Sequence, residues 1–353
     1  MDDGPTAAAD PSGDRVAALI AGATGDGAGP SGRGSVRALA RLVSLVEAGG
    51  DTAAVGAAGL RGRPRGAAVL GVTGPPGVGK STLITALIGR YRARGARVAV
   101  LAVDPSSPFS GGALLGDRVR MGVHGTDPGV FIRSMSSRGE LGGLSAATAG
   151  AADLLSALGF DVVIVETVGV GQNEVAVLRL ADTVLVVLAP GLGDGVQAAK
   201  AGILEIADVL VVNKADRDGV ATTVRDLKSM VALGRSGGAD AAHWRIPVLT
   251  TVATEPADAE RAGLDRLLAA VDAHREHVDR HEGAAARATR RAEAAVEALV
   301  LQRLQAALHD PAGRALLGRA ADAVAAGGED THSAARRVLR ELAGGETPGL
   351  TGG

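Results

Sequence analysis

The stretch Gly74-Pro75-Pro76-Gly77-Val78-Gly79-Lys80-Ser81 constrains this chain more than any other, because it matches G-x-x-x-x-G-K-[ST] at every fixed position. The apolar run Ala67 to Thr73 before it reads as a strand, and Thr82 to Ile88 after it reads as a helix. That order turns backbone N–H groups onto an anion at the helix N-terminus. Gly74, Gly77 and Gly79 let the main chain approach a phosphate closely, and Val78 to Thr82 supply the N–H cradle. Lys80 is expected at the β- and γ-phosphates as a point charge, and the Ser81 hydroxyl at Mg²⁺. An ordinary glycine turn before a helix is the bland alternative, and the flanking strand and helix weigh against it.

At 353 residues and 46% apolar, the chain has room for one large α/β domain with helical additions. A net charge of −2 gives no general attraction to nucleic acid. The absence of cysteine excludes disulfides, thiolate metal sites and a cysteine nucleophile. No apolar run approaches the roughly 20 residues of a membrane span, and the Met-Asp-Asp start lacks a basic and apolar leader, so a cytoplasmic protein is expected. Only Lys80, Lys200, Lys214 and Lys228 are lysine in a chain that otherwise uses arginine, which marks them as positions where a compact ammonium or a lysine stem is needed.

Residues 1–33, rich in Gly, Pro, Asp and Ala, read as a mobile tail. In residues 34–66, Val36, Leu39, Leu42, Val43 and Val46 fall at helical spacing, which predicts an amphipathic helix on the main domain. Residues 67–282 form that domain. Residues 283–353 read as helices separated by Pro311 and Gly327-Gly328, with Val296, Leu299, Leu304 and Leu308 favouring one apolar face. This extension packs on the main domain or forms a homodimer surface. His274, His277 and His281 are expected to line a solvated helix face rather than a zinc site, and Trp244 to be a packing residue.

Further acidic groups fall at the ends of predicted strands, where open parallel sheets bind ligands. The strand Arg97 to Val103 ends at Asp104, and Asp117 lies further along the loop that follows; both are candidates for the Mg²⁺ shell, with capping or turn formation the alternative. The strand Asp161 to Val165 delivers Glu166 to the metal's surroundings and Gly169, whose N–H suits a γ-phosphate. Ras-like GTPases place a water-orienting glutamine after that glycine; here the position is Val170, and Gln172 stands two residues on. The hydrolytic site therefore reads as incomplete alone. Arg138 is a candidate for nucleotide or partner contact, with a surface-loop arginine the blander reading.

The strand Val209 to Val212 ends in Asn213-Lys214-Ala215-Asp216, an N-K-x-D signature. A carboxylate at Asp216 accepts from both N1–H and the 2-amino group of guanine, a pattern adenine lacks. Lys214 covers the base plane and Asn213 braces the loop. Val252-Ala253-Thr254 stands where a second base loop is expected, with the Ala253 N–H as a candidate donor to guanine O6. GTP and GDP are thus the expected ligands.

Taken together these motifs resemble the methylmalonyl-CoA mutase-associated GTPases, the MeaB/ArgK group within the SIMIBI class of P-loop proteins. The resemblance runs over about residues 35–280, through Arg37 to Arg41, the phosphate loop, Val103 to Pro108, Gly111 to Arg118, Arg138 to Leu144, Glu166 to Gln172 and Asn213 to Asp216. It implies a P-loop NTPase fold with a mainly parallel central sheet flanked by helices, an N-terminal helix and a C-terminal helical extension used for dimerisation. It also implies a GTP-hydrolysing chaperone of an adenosylcobalamin-dependent acyl-CoA mutase, acting with Mg²⁺ and, as a further partner, a cobalamin adenosyltransferase. Asp194 and Lys200 are implied as parts of a partner-responsive switch, Lys200 acting on transition-state charge. The chain has Gly195 and Ala201 where that pattern has an acidic residue and a second lysine. Alternatives are a kinase of a periplasmic amino-acid-binding protein and a SIMIBI metallochaperone, the latter disfavoured by the missing cysteine.

Overall fold

The computed structural model describes residues 11–24, 32–49, 59–63, 65–104, 122–136, 143–167, 178–191, 206–233, 244–254 and 262–344. Two helices come first, α1 (Pro11–Thr24) and α2 (Gly32–Ala48). The body then runs β1 (Ala68–Thr73), α3 (Lys80–Ala93), β2 (Val98–Asp104), β3 (Val130–Ser136), α4 (Gly143–Ala157), β4 (Val162–Thr167), β5 (Thr183–Leu188), β6 (Val209–Val212), α5 (Val220–Leu233), β7 (Val248–Thr250) and α6 (Leu264–His281). The chain continues through α7 (Gly283–His309), α8 (Pro311–Ala325) and α9 (Thr331–Gly344).

Among the described residues seven strands form one sheet in the order β3-β2-β4-β1-β5-β6-β7, and every pairing is parallel. A parallel sheet must be covered on both faces, so its strands read as unbroken Val, Leu and Ile runs. On one face Leu83, Ile84, Leu87 and Ile88 of α3 are fully buried with Leu264, Leu267 and Leu268 of α6. Each such side chain contributes about 1.5–3 kcal/mol through burial. On the other face α4, α2 and α1 cover Val69, Leu101, Val163 and Val165. β1 lies between β4 and β5, and the chain leaves it first toward β2 and later toward β5, so the order reverses at the C-terminal end of β1. That is where a ligand crevice opens in this architecture.

Three expectations need correction. Pro11–Thr24 is not a tail: it is helical, and Val16, Ile20 and Ala23 bury against Ala38, Leu39, Leu42 and Val43 of α2. Val16, Ile20 and Ala23 form one stripe of a helix whose exposed residues Asp14, Arg15, Ala17 and Ala18 are charged or small. In α7, Val296 and Leu299 face outward at 61% and 45% exposure, whereas the smaller Ala298 and Ala307 are buried. α7 packs against α4, and Ala307 is buried in a separate small core with Leu316 and Ala320 of α8 and Val338 of α9.

The third correction concerns the histidines. His274 is only 5% exposed, because it continues the buried stripe Leu264, Leu267, Leu268, Val271 and Val278 on α6. Its Nδ1 lies 2.8 Å from the Thr183 hydroxyl and its Nε2 3.3 Å from Asp208 Oδ1. Asp208 Oδ2 accepts from the Val184 N–H at 2.8 Å, and the Trp244 indole N–H donates to the Asp208 carbonyl at 2.8 Å. Trp244 also meets the His274 ring edge-on at 4.9 Å. This cluster fastens α6 to the starts of β5 and β6, at the sheet edge remote from the phosphate loop.

Burial, then the neighbouring His277 and Arg290, lowers His274 to about 4. Burial raises Asp208 to about 6 against the opposing Val184 N–H and Arg290. The two shifts act on stability with opposite signs. As pH falls from about 6.5 toward 4 the unfolded chain protonates His274 while the folded chain does not, which destabilises the fold. Over nearly the same window the folded chain protonates Asp208 before the unfolded chain does, which stabilises it. The pair is expected to leave the profile nearly flat there. Asp208→Asn retains an oxygen for Val184 and removes one slope, so urea unfolding of that variant should lose on the order of 2–3 kcal/mol more than the parent between pH 6.5 and 4. Equal profiles would show that the two shifts do not oppose.

Candidate nucleotide site

Strand β1 ends at Thr73 and the chain turns sharply at Gly74, with φ of 145°. A Cβ there would sit 2.0 Å from the Val187 carbonyl oxygen of the neighbouring strand, so only glycine fits. Gly79, with φ of 92°, immediately precedes α3, and a Cβ on it would lie 2.6 Å from Asn213 Nδ2. The absence of side chains at these two places brings the phosphate loop against β5 and against the N-K-x-D loop. The N-cap residue of α3 is Gly79, which has no side chain to cap the helix, and Lys80, Ser81 and Thr82 occupy the first helical positions. Their N–H groups, with the aligned helix dipole, provide a place for an anion.

Lys80 is 7% exposed, and its ammonium donates to the carbonyls of Gly74 at 2.8 Å and Pro75 at 3.1 Å. The loop thus wraps around the lysine stem. The Ser81 hydroxyl donates to Glu166 Oε1 at 2.9 Å, and Glu166 is 1% exposed. Glu166 reaches this place because β4 pairs with β1 in the register Val72 to Glu166. A buried carboxylate beside a hydroxyl supplies oxygen donors of the kind that hold Mg²⁺, so the residues present fit that ion. Next to them the Thr167 hydroxyl donates to the Thr73 hydroxyl at 2.9 Å, tying the ends of β4 and β1 together.

Asn213 is 2% exposed and joins three segments. Its Nδ2 donates to the Val78 carbonyl at 2.9 Å, and its Oδ1 accepts from the Thr251 hydroxyl at 3.1 Å and the Ala253 N–H at 3.2 Å. The Ala253 N–H expected at guanine O6 is therefore directed to Asn213 here. Lys214 has φ of 57°, a left-handed turn that sends its ammonium to the Gly77 carbonyl at 2.6 Å. Its stem consequently bridges from the base loop to the phosphate loop. Asp216 follows in the exposed turn before α5.

The structure brings Gly74, Gly77, Val78, Gly79, Lys80, Ser81, Thr82, Glu166, Asn213, Lys214 and Ala253 to one region at the C-terminal edge of the sheet. Asp104 ends β2 on the same edge. Asp117, Arg138, Gly169, Val170, Gln172, Asp194 and Lys200 lie outside the described residues. The Thr73, Thr167 and Thr251 hydroxyls were not anticipated. Their signal was a threonine closing an otherwise apolar strand, where a hydroxyl must find a partner as it becomes buried.

A family model described as methylmalonyl Co-A mutase-associated GTPase MeaB matches residues 39–312. The chain belongs to this family. It is accordingly a P-loop GTPase of the SIMIBI class that binds guanine nucleotide and hydrolyses GTP. A Pyrococcus abyssi protein named as a GTPase is 43% identical over 313 residues, covering 89% of this chain and 95% of the relative. The mouse mitochondrial methylmalonic aciduria type A homolog is 45% identical over 149 residues, 42% of this chain and 36% of its own. Among solved structures, a LAO/AO transport system kinase superposes with a TM-score of 0.64 at 25% identity, covering 96% of this chain and all of the other. The residues matched by the MeaB family include both the phosphate loop and the N-K-x-D loop.

Proposed function

We propose that this MeaB-family GTPase is a chaperone of an adenosylcobalamin-dependent acyl-CoA mutase, methylmalonyl-CoA mutase foremost. GTP turnover would gate cofactor loading, protection or reactivation of the mutase. The observation that carries this reading is the family match, whose description names association with that mutase. A cobalamin adenosyltransferase is a further partner on this reading, and the chain works in the cytoplasm as a homodimer. Residues 67–282 act as the GTPase body and 283–353 as the helical extension.

In the nucleotide site Gly74, Gly77 and Val78 to Thr82 cradle the phosphates. Lys80 exchanges its Gly74 and Pro75 carbonyls for phosphate oxygens. Asp216 reads the guanine edge, Lys214 covers its face, and Asn213 holds the two loops together. Ser81 and Glu166 hold Mg²⁺, with Asp104 and Asp117 in its surroundings; when bound, the ion neutralises charge on the β- and γ-phosphates. Gly169 offers its N–H to the γ-phosphate. Val170 cannot orient the attacking water as a glutamine would, so hydrolysis is slow alone. The switch carrying Asp194 and Lys200 supplies the missing transition-state stabilisation when the partner engages.

Phosphate release should be measured with and without a purified cognate mutase. The mutase is expected to accelerate the parent protein, and Lys200→Ala to lose most of that acceleration while keeping its basal rate within about two-fold, since the switch acts only when docked. Full stimulation of Lys200→Ala would overturn the role of Lys200, and no stimulation of the parent would overturn the chaperone reading. The kinase reading is favoured by the name of the superposed structure. It predicts phosphate transferred to an amino-acid-binding protein instead of released to solution, which the same assay distinguishes.

A further inference from the structure

The last turns of α6 carry His277 and His281 at i, i+4, a spacing that stacks two side chains on one face of a helix. Their ring centroids are 4.3 Å apart with the planes at 45°. His274, one turn earlier, is engaged with Thr183 and Asp208, so the outer two rings form a separate pair. A metal about 2.0–2.1 Å from one nitrogen of each of two imidazoles, with its bonds near a right angle, sets the ring centres about 4.5 Å apart. The observed spacing is already close to that. Each imidazole has two nitrogens, and a metal takes one while the other keeps a protein or water partner. The pair also sits at the C-terminal end of α6, where the helix carbonyls favour a cation.

We propose that His277 and His281 form a two-histidine site for a divalent transition-metal ion of the nickel(II) or copper(II) type, with water in the remaining positions. Paired imidazoles without thiolates select these ions over Mg²⁺, which prefers oxygen donors. Among the described residues no group of three or more histidine, aspartate or glutamate side chains is placed to hold a metal. The site is therefore open and exchangeable, unlike the closed four-ligand sites that hold a fold together. It lies beside the Trp244 cluster at the starts of β5 and β6, at the sheet edge opposite the phosphate loop, and is distinct from the Mg²⁺ site proposed above.

Trp244 is the chain's single tryptophan, and its ring centroid is 5.4 Å from that of His277. A paramagnetic or heavy ion bound there should quench its emission. Untagged full-length protein at about pH 7.5, above the ordinary imidazole range, is to be titrated with nickel chloride while tryptophan fluorescence is followed. The expected result is saturable quenching at one ion per chain, with no response to magnesium chloride. His281→Ala changes an exposed position, and with an unaltered circular dichroism spectrum it should weaken nickel binding at least about ten-fold, as should His277→Ala. Identical titrations of the parent and His281→Ala, or quenching that rises linearly without saturation, would overturn the site.

Discussion

Replacing Lys80 with alanine is expected to reduce GTP hydrolysis by about a thousand-fold or more and to remove measurable tight binding of GTP and GDP. The reasoning begins with burial. An ammonium at 7% exposure is held by two loop carbonyls, and the bound phosphates offer a stronger, oppositely charged partner. Loss of that charge-assisted contact in a largely dehydrated cradle removes several kcal/mol in binding, and more in a transition state that gathers charge on the transferred phosphoryl group. The free protein should suffer less, because alanine is a good helix former at the start of α3 and, of the two carbonyls that lose the ammonium, only the Gly74 one is buried while the Pro75 one is part-exposed. Thermal unfolding separates these effects. GDP at about a hundred times its Kd stabilises the parent by about 2.7 kcal/mol through mass action, and Lys80→Ala should show no such gain while unfolding normally without nucleotide. A variant that still shifts with GDP would remove Lys80 from the phosphate site.

The second large effect is expected from Asp216→Asn. One carboxylate accepting from two guanine donors makes two charge-assisted hydrogen bonds, each worth about 1.5–3 kcal/mol. The amide loses the charge and turns a donor toward one of those guanine groups. GTP affinity should fall by at least about a hundred-fold, while binding of inorganic pyrophosphate, which has no base, should be unchanged. Xanthine nucleotide, with a carbonyl where guanine has its amino group, should gain relative to GTP. If GTP and pyrophosphate weaken together, Asp216 supports the loop as a whole and does not read the base.

Much of the body was legible because its strands are short, buried and sharply punctuated. Val209–Val212 has the bounds its sequence predicts because Asn213 closes it, and Thr183–Leu188 is a buried run set off by Asp182 before it and Pro190 soon after it. Leu264–His281 is set off in the same way, between Gly263 and Gly283. The phosphate loop and the N-K-x-D loop were visible as motifs, and the structure adds that they touch through Asn213 and Lys214. That contact joins residues more than 130 positions apart, and no local periodicity encodes such a meeting. Local patterns failed where side-chain size and burial part company. His274 fills a place in an apolar stripe because Thr183 and Asp208 wait for its nitrogens, and Ala298 is buried while Val296 is not.

The base of α7 is fastened at a particular place. Arg291 donates to the Ala67 carbonyl at 3.1 Å and to Asp182 at 3.2 Å, and Asp182 accepts from the Val69 N–H at 2.8 Å. These contacts grip the starts of β1 and β5, whose far ends lead to Gly74 and Pro190. Beyond Arg291 the helix runs unbroken to the small core formed by Ala307, Leu316, Ala320, Ala334, Val338 and Leu342. At 1.5 Å per residue that core begins about 24 Å from the grip. α7 is thus a stiff arm with its fulcrum on the strands that lead to the nucleotide loops. A tilt of about 5° at the fulcrum sweeps the far end by about 2 Å over that length, so angular changes too small to disturb the sheet become displacements large enough to reshape a contact surface.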